Sequence, residues 1–190
     1  MKYNPNIHHR RSIRLKGYDY SKAGLYFITI CVQNQECLYG HMGKDKMILN
    51  NAGRMVEKWY YELENKYPDK KCHEMVVMPN HFHCIIENVE MDANPTDVNP
   101  IRGRSQYGPN NQKYNATIGD AMDWFKTMTT NEYIRSVKKY NWKRFEKKLW
   151  QRNYWEHIIR NDTEYNYITN YIIENPQKWI DDKLNPENYD

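Results

Sequence analysis

Apolar positions fall along this chain in two rhythms, one of strands and one of helices. Residues 25–32, Leu25-Tyr26-Phe27-Ile28-Thr29-Ile30-Cys31-Val32, are almost continuously apolar and rich in β-branched and aromatic side chains. That composition predicts a strand in the middle of a sheet. Gly40 and Gly43, set between short apolar runs, predict a hairpin over 37–49. Met55, Val56, Trp59, Tyr60 and Leu63 then recur at helical spacing, so 52–66 reads as a helix capped by Asn50 or Asn51 and closed by Pro68. Two apolar runs meeting at Pro79-Asn80 predict an antiparallel pair of strands over 73–78 and 82–87. Thr117 opens a second helix, 118–137, with Ile118, Met122, Phe125, Met128 and Ile134 along one face. Leu149-Trp150 reads as an edge strand. A last helix covers 162–174, with Asp162 as N-cap, Glu164 in its first turn and Pro176 beyond its end. The series βαββαβ predicts a ferredoxin-like α+β sandwich: an antiparallel sheet with helices on one face, followed by a C-terminal helix.

Composition narrows the class. A chain of 190 residues suits one domain with appendages, and 14% aromatic residues exclude a disordered chain despite a mean hydropathy of −1.03. The expected division is a basic arm over 1–22, one domain over 23–180 with a polar insertion at 88–115, and an acidic tail over 181–190. The four cysteines have no CxxC spacing, which points to a reducing cytoplasm rather than a stapled or zinc-ribbon fold. Neither an apolar leader nor a long apolar run is present, so no membrane segment is expected. Charge is unevenly spread. Residues 1–22 hold six basic side chains and one acid, 136–160 hold eight and two, and 161–190 reverse to two and seven. Two basic blocks suit a polyanion such as nucleic acid, and equally a solvated surface.

The candidate chemistry lies in His81-Phe82-His83. Side chains alternate along a strand, so the two imidazoles share a face about 7 Å apart at the backbone, while Phe82 points into the core. Such a pair can hold a metal ion or simply end a sheet. HExxH is absent, and His157 stands alone, which favours a structural role. In the last helix Tyr167, Tyr171 and Asn175 recur every fourth residue, so a phenol and an amide are presented one turn apart. Tyrosine is abundant here, and packing is the plainer role for any one of them. Alternating rings and cations in Trp142-Lys143-Arg144-Phe145 and Trp150-Gln151-Arg152 suit single-strand binding. Trp155 is read as core, and Lys143, Arg144 and Arg152 as DNA contacts.

These pieces resemble a known family. Residues 76–83, Val-Val-Met-Pro-Asn-His-Phe-His, are similar to the His-hydrophobic-His motif of the single-tyrosine HUH transposases. The run 150–161, Trp-Gln-Arg-Asn-Tyr-Trp-Glu-His-Ile-Ile-Arg-Asn, resembles their REP-associated branch, the REP-associated tyrosine transposases. So do Tyr171-Ile-Ile-Glu-Asn175-Pro176 and the basic opening Arg10-Arg11-Ser12-Ile13-Arg14-Leu15. The resemblance spans roughly 10–180 without the insertion. It implies that His81, His83 and Asn175 hold Mg²⁺ or Mn²⁺, and that Tyr171 is a nucleophile forming a covalent 5′-phosphotyrosine. The implied substrate is single-stranded DNA beside hairpins, with Arg10, Arg11, Arg14 and Lys16 reading a guide sequence. The branch also leans to monomers over homodimers. The expectation is therefore a metal-dependent single-strand endonuclease and strand transferase. Two other readings stand beside it: a hairpin DNA- or RNA-binding protein that does not cut, and a hydrolase of small phosphoesters.

Overall fold

The central strand β1 (Gly24–Cys31) is flanked on both sides, as its continuous apolar run predicts. In this computed structural model, which describes residues 17–44, 46–90 and 112–189, four strands form one antiparallel sheet in the order β4-β5-β1-β6. Here β4 is Lys70–Val77, β5 is His81–Asn88 and β6 is Trp155–Ile159. β2 (Gly40–Met42) and β3 (Met47–Leu49) make the separate hairpin expected from the glycines. Helices α1 (Asn51–Lys66), α2 (Ile118–Tyr140) and α3 (Asp162–Glu174) complete the α+β sandwich.

Alternation sorts the sheet into two faces. Tyr26, Ile28 and Ile30 of β1 join Phe82, Cys84 and Ile86 of β5 in a fully buried layer under α1 and α2. Phe27 of β1, Ile85 of β5 and Ile159 of β6 project the other way and are covered by Ile168 and Ile172 of α3. The third helix thus packs on the face opposite the first two. α1 starts where Asn50 Oδ1 accepts the Ala52 and Gly53 N–H groups at 2.9 and 3.0 Å, satisfying donors that a helix start leaves bare. Gly53 is required there, because a Cβ would run into the Tyr39 carbonyl oxygen. α2 opens with a reciprocal capping box between Thr117 and Asp120.

Four sequence expectations are corrected. The edge strand is β6, five residues after Leu149-Trp150. Those two residues are buried, and Trp150 makes only a single bridge to Val32. α2 buries Ile118, Met122, Phe125, Thr129 and Tyr133, whereas Ile134 lies 100° round the helix from Tyr133 and faces solvent. α3 is capped by Asn161, whose side chain accepts from Glu164 N, because Asp162 is already inside the helix. Trp142 and Phe145 are not open platforms, since both pack edge-on against Tyr133 at 5.2 and 5.5 Å. The basic arm with Arg10, Arg11, Arg14 and Lys16, and most of the 88–115 insertion, lie outside the described residues. No helix among those residues is long and apolar enough to cross a membrane.

Phe82 is the bolt between the histidines. It is fully buried and stacks on Phe125 at 5.4 Å, with Tyr60 edge-on at the same distance. Phe82→Ala is expected to cost about 3–5 kcal/mol in urea unfolding. A cost below about 1 kcal/mol would show that this face does not hold β5 in place.

Candidate functional site

The β4–β5 turn is tied down from three directions. Pro79 O accepts Leu38 N and Tyr39 N at 2.9 and 3.1 Å, and Asn80 O accepts Val32 N at 2.8 Å. Asn80 itself is buried, and its Nδ2 donates to Gln35 O at 3.1 Å and Leu184 O at 2.7 Å. Two carbonyl acceptors fix which end of the amide is nitrogen, so Asn80 Oδ1 is left to accept from His81 Nδ1 at 2.9 Å. His81 must then carry its proton on Nδ1 and a lone pair on Nε2. His83 Nδ1 is likewise engaged, with Thr29 Oγ1 at 2.8 Å across the strand pair. Backing of this kind orients imidazoles that bind metal through the other nitrogen.

Three buried polar atoms of this group find no hydrogen-bond partner among the described residues: His81 Nε2, His83 Nε2 and Asn175 Oδ1. The two imidazole rings meet edge-on at 4.6 Å. Asn175 closes α3, and its amide lies near enough to favour the charged form of His81. Among the described residues no three His, Cys, Asp or Glu side chains gather as a metal-binding group, and the buried oxygen that accompanies the two imidazoles is the Asn175 amide's. Two imidazole nitrogens and one oxygen form a set that suits a divalent ion, and their lack of other partners fits that use. Asp182 stands at the edge of the set, its Oδ2 3.8 Å from His81 Nε2.

Tyr171 lies over this group. Its ring centroid is 5.4 Å from that of His83 and 5.9 Å from that of Phe27. Both Tyr171 and His83 line a cleft of about 1310 Å³ between α3 and the sheet, with Asn175, Tyr167 and Lys178. Burial raises the Tyr171 phenol above its usual 10.0, and the Asp182 carboxylate adds to the rise, while Asn175 and Lys178 oppose it. Burial also raises the Asp182 carboxyl, against a hydrogen bond from Leu184 N.

Burial pushes His81 down to about 3, and His83 well below 6.5 with the help of its neighbour. The unfolded chain therefore takes up protons that the fold refuses, and stability rises with pH across this window. In chelator-treated protein, unfolding free energy is expected to fall as pH drops below about 6.5 and to keep falling toward about 3, by up to about 1.4 kcal/mol per unit per histidine. Urea titrations at about pH 7 and about pH 5 measure it, and equal stabilities would count against neutral imidazoles.

The structure thus brings His81, His83, Tyr171 and Asn175 together. Lys143, Arg144 and Arg152 are exposed but do not line the cleft, and Lys143 Nζ sits 3.4 Å from Glu36 Oε2. Sequence reasoning missed two cleft residues. Trp155 is not core but 47% exposed, and His157 is not isolated but donates from Nε2 to Glu164 Oε1 at 2.6 Å. The register Thr29↔Trp155 and Phe27↔His157 puts both on the face of His83. The every-second-residue pattern Trp155, His157, Ile159 carried that signal.

No protein-family model matches the chain. An uncharacterized protein of Haemophilus influenzae is 40% identical over 183 residues, covering 96% of this chain and 97% of that one. A second protein of that organism, provisionally named a REP-associated tyrosine transposase, is 26% identical over 163 residues, covering 84% and 74%. The REP-associated tyrosine transposase of Escherichia coli K12 is 23% identical over 163 residues, covering 85% and 72%. The chain belongs in one family with the first of these, distantly related to the REP-associated tyrosine transposases. A solved structure of such a transposase bound to a REP hairpin superposes with a TM-score of 0.50 at 20% identity, over 88% of this chain and 74% of that one. That likeness is one of fold, and it supports the antiparallel four-stranded α+β architecture.

Proposed function

We propose that this chain is a metal-dependent single-strand DNA endonuclease and strand transferase that cuts beside DNA hairpins through Tyr171. The observation that carries the reading is the placement of the Tyr171 ring 5.4 Å from His83, above buried Nε2 and Oδ1 atoms that have no hydrogen-bond partner among the described residues. His81, His83 and Asn175 would hold Mg²⁺ or Mn²⁺, which when bound would neutralise charge developing on a phosphate oxygen. The remaining work falls to side chains. Tyr171 Oη attacks phosphorus, a phosphotyrosine ester forms, and the bond to the 3′ oxygen breaks to release a 3′ hydroxyl. That ester conserves the phosphodiester, so a later hydroxyl can displace Tyr171 and rejoin a strand without ATP. Phe27 and His83 fix the phenol ring by edge contacts, and α3 positions Tyr171 and Asn175 one turn apart. Lys178 stands at the cleft wall with its ammonium paired to Glu174 Oε2 at 2.6 Å.

The test is incubation of the full chain with Mn²⁺ and labelled single-stranded oligonucleotides that fold into a hairpin. A band shifted on a denaturing gel and sensitive to protease is the expected result. Tight hairpin binding with no cut strand would instead favour the non-cleaving binder.

A further inference from the structure

We propose that Trp155 forms a stacking subsite for an unpaired nucleobase beside the phosphate that Tyr171 attacks, an inference that rests on the function proposed above. An indole that is nearly half exposed is unusual in a sheet whose other large rings are covered. Its exposure is organised. His157 lies behind it, nearly parallel at 5° and 5.7 Å between centroids. His157 is held in turn by Glu164 Oε1 at 2.6 Å, and Glu164 Oε2 accepts Arg160 N at 2.7 Å. Phe27 presses edge-on to Trp155 at 5.5 Å, so the ring has a fixed orientation with one side left to the cleft.

The register decides where that ring stands. Trp155 pairs with Thr29, and Thr29 pairs with His83, so all three lie in one cross-strand row on the same sheet face. Adjacent strands are about 4.8 Å apart, which places Trp155 roughly 10 Å from His83 along the row. Phe27 bridges the gap, touching Trp155 on one side and Tyr171 on the other. Tyr167, 73% exposed, faces the same cleft. A strand whose phosphate sits at Tyr171 can lay a neighbouring base over this wall, since Tyr171 and Trp155 line one cleft. An open π face accepts any base, because stacking needs no hydrogen-bond pattern. The proposed stacking surface is on β6, whereas the sequence pattern pointed to Trp142 and Phe145.

Because stacking tolerates any base, the probe is fluorescein-labelled oligothymidylate, compared with an abasic oligonucleotide of equal length. By fluorescence anisotropy, Trp155→Ala is expected to weaken oligothymidylate binding about tenfold or more, and Trp155→Phe by no more than about threefold. The abasic probe should bind wild type weakly and be insensitive to Trp155→Ala. Quenching of tryptophan emission by oligothymidylate should shrink in Trp155→Phe, a readout that stands even if Trp155→Ala folds poorly. Equal losses on both probes, or unchanged oligothymidylate affinity in a folded Trp155→Ala, would overturn the subsite. A Tyr171-dependent adduct with Trp155-insensitive binding sinks this inference alone. Base binding through Trp155 with no adduct at Tyr171 sinks the proposed reaction and leaves the subsite standing.

Discussion

Tyr171→Phe is expected to abolish the covalent protein–DNA adduct, lowering its rate of formation about a thousandfold or more, while leaving the fold and DNA binding intact. The substitution removes only Oη. The ring keeps its edge contacts with Phe27 and His83, and its half-buried position against the apolar cluster under α3 is unchanged. Stability should therefore move by less than about 1 kcal/mol. No neighbouring group replaces the lost oxygen, because phenylalanine has none to offer, so the residual rate measures attack by water or another tyrosine. Tyr167 is the relevant control, being one turn earlier and open to the same cleft. Tyr167→Phe should keep the adduct. Should adduct persist in Tyr171→Phe and vanish in Tyr167→Phe, the nucleophile is Tyr167 and the contact with His83 is packing only.

What could be read in the sequence followed from strong local rhythm. The run 25–32 is apolar on both faces because β1 is covered by α1 and α2 on one side and by α3 on the other. His81 and His83 sharing a face needs only the two-residue period of a strand, and the structure keeps them together. Asn50 and the capping box of Thr117 with Asp120 are local too, and both helices start there. The misplaced elements are those where function or distant packing overrides rhythm. β6 alternates Trp155, Glu156, His157, and its outward face lines a cleft, so it lacks the apolar face that marks a strand. Leu149-Trp150 looked more strand-like, yet they fill a core behind α2.

The site itself was half legible for the same reason. Spacing put Tyr171 and Asn175 on one helix face, but only the sheet order shows that α3 covers the face bearing the histidines. Asp182 was hidden in a stretch that reads as an acidic tail. In the fold, the chain around it returns to the β4–β5 turn, where Leu184 O accepts from Asn80 and the Trp179 ring lies 5.9 Å from His81. Charge counting along a chain cannot find such a group, because its role depends on which turn it comes back to.

Replacing both histidines should separate the metal from the rest of the protein. In wild type, Mn²⁺ at about a hundredfold excess over its Kd is expected to stabilise the fold by about 2.7 kcal/mol, since binding to the folded state alone adds RT ln(1 + [L]/Kd). His81→Ala with His83→Ala should lose that stabilisation, lose calorimetric Mn²⁺ binding, and lose the DNA adduct. The metal-free double variant will also be less stable than metal-free wild type near neutral pH, because Asn80 Oδ1 loses its donor and two cavities open on the α3 side. Comparing melting with and without Mn²⁺ for each protein cancels that basal difference. Charge then grades the single variants. Two neutral imidazoles and an amide bring no negative charge to a divalent ion, while Asp182 Oδ2 stands 3.8 Å from His81 Nε2. Asp182→Asn should therefore weaken Mn²⁺ binding without abolishing it, and Asn175→Ala should weaken it through loss of the oxygen donor. An Mn²⁺ shift that survives in the double variant at wild-type size would place the ion elsewhere on the surface, and the histidine pair would then be a buried structural pair held by Asn80 and Thr29.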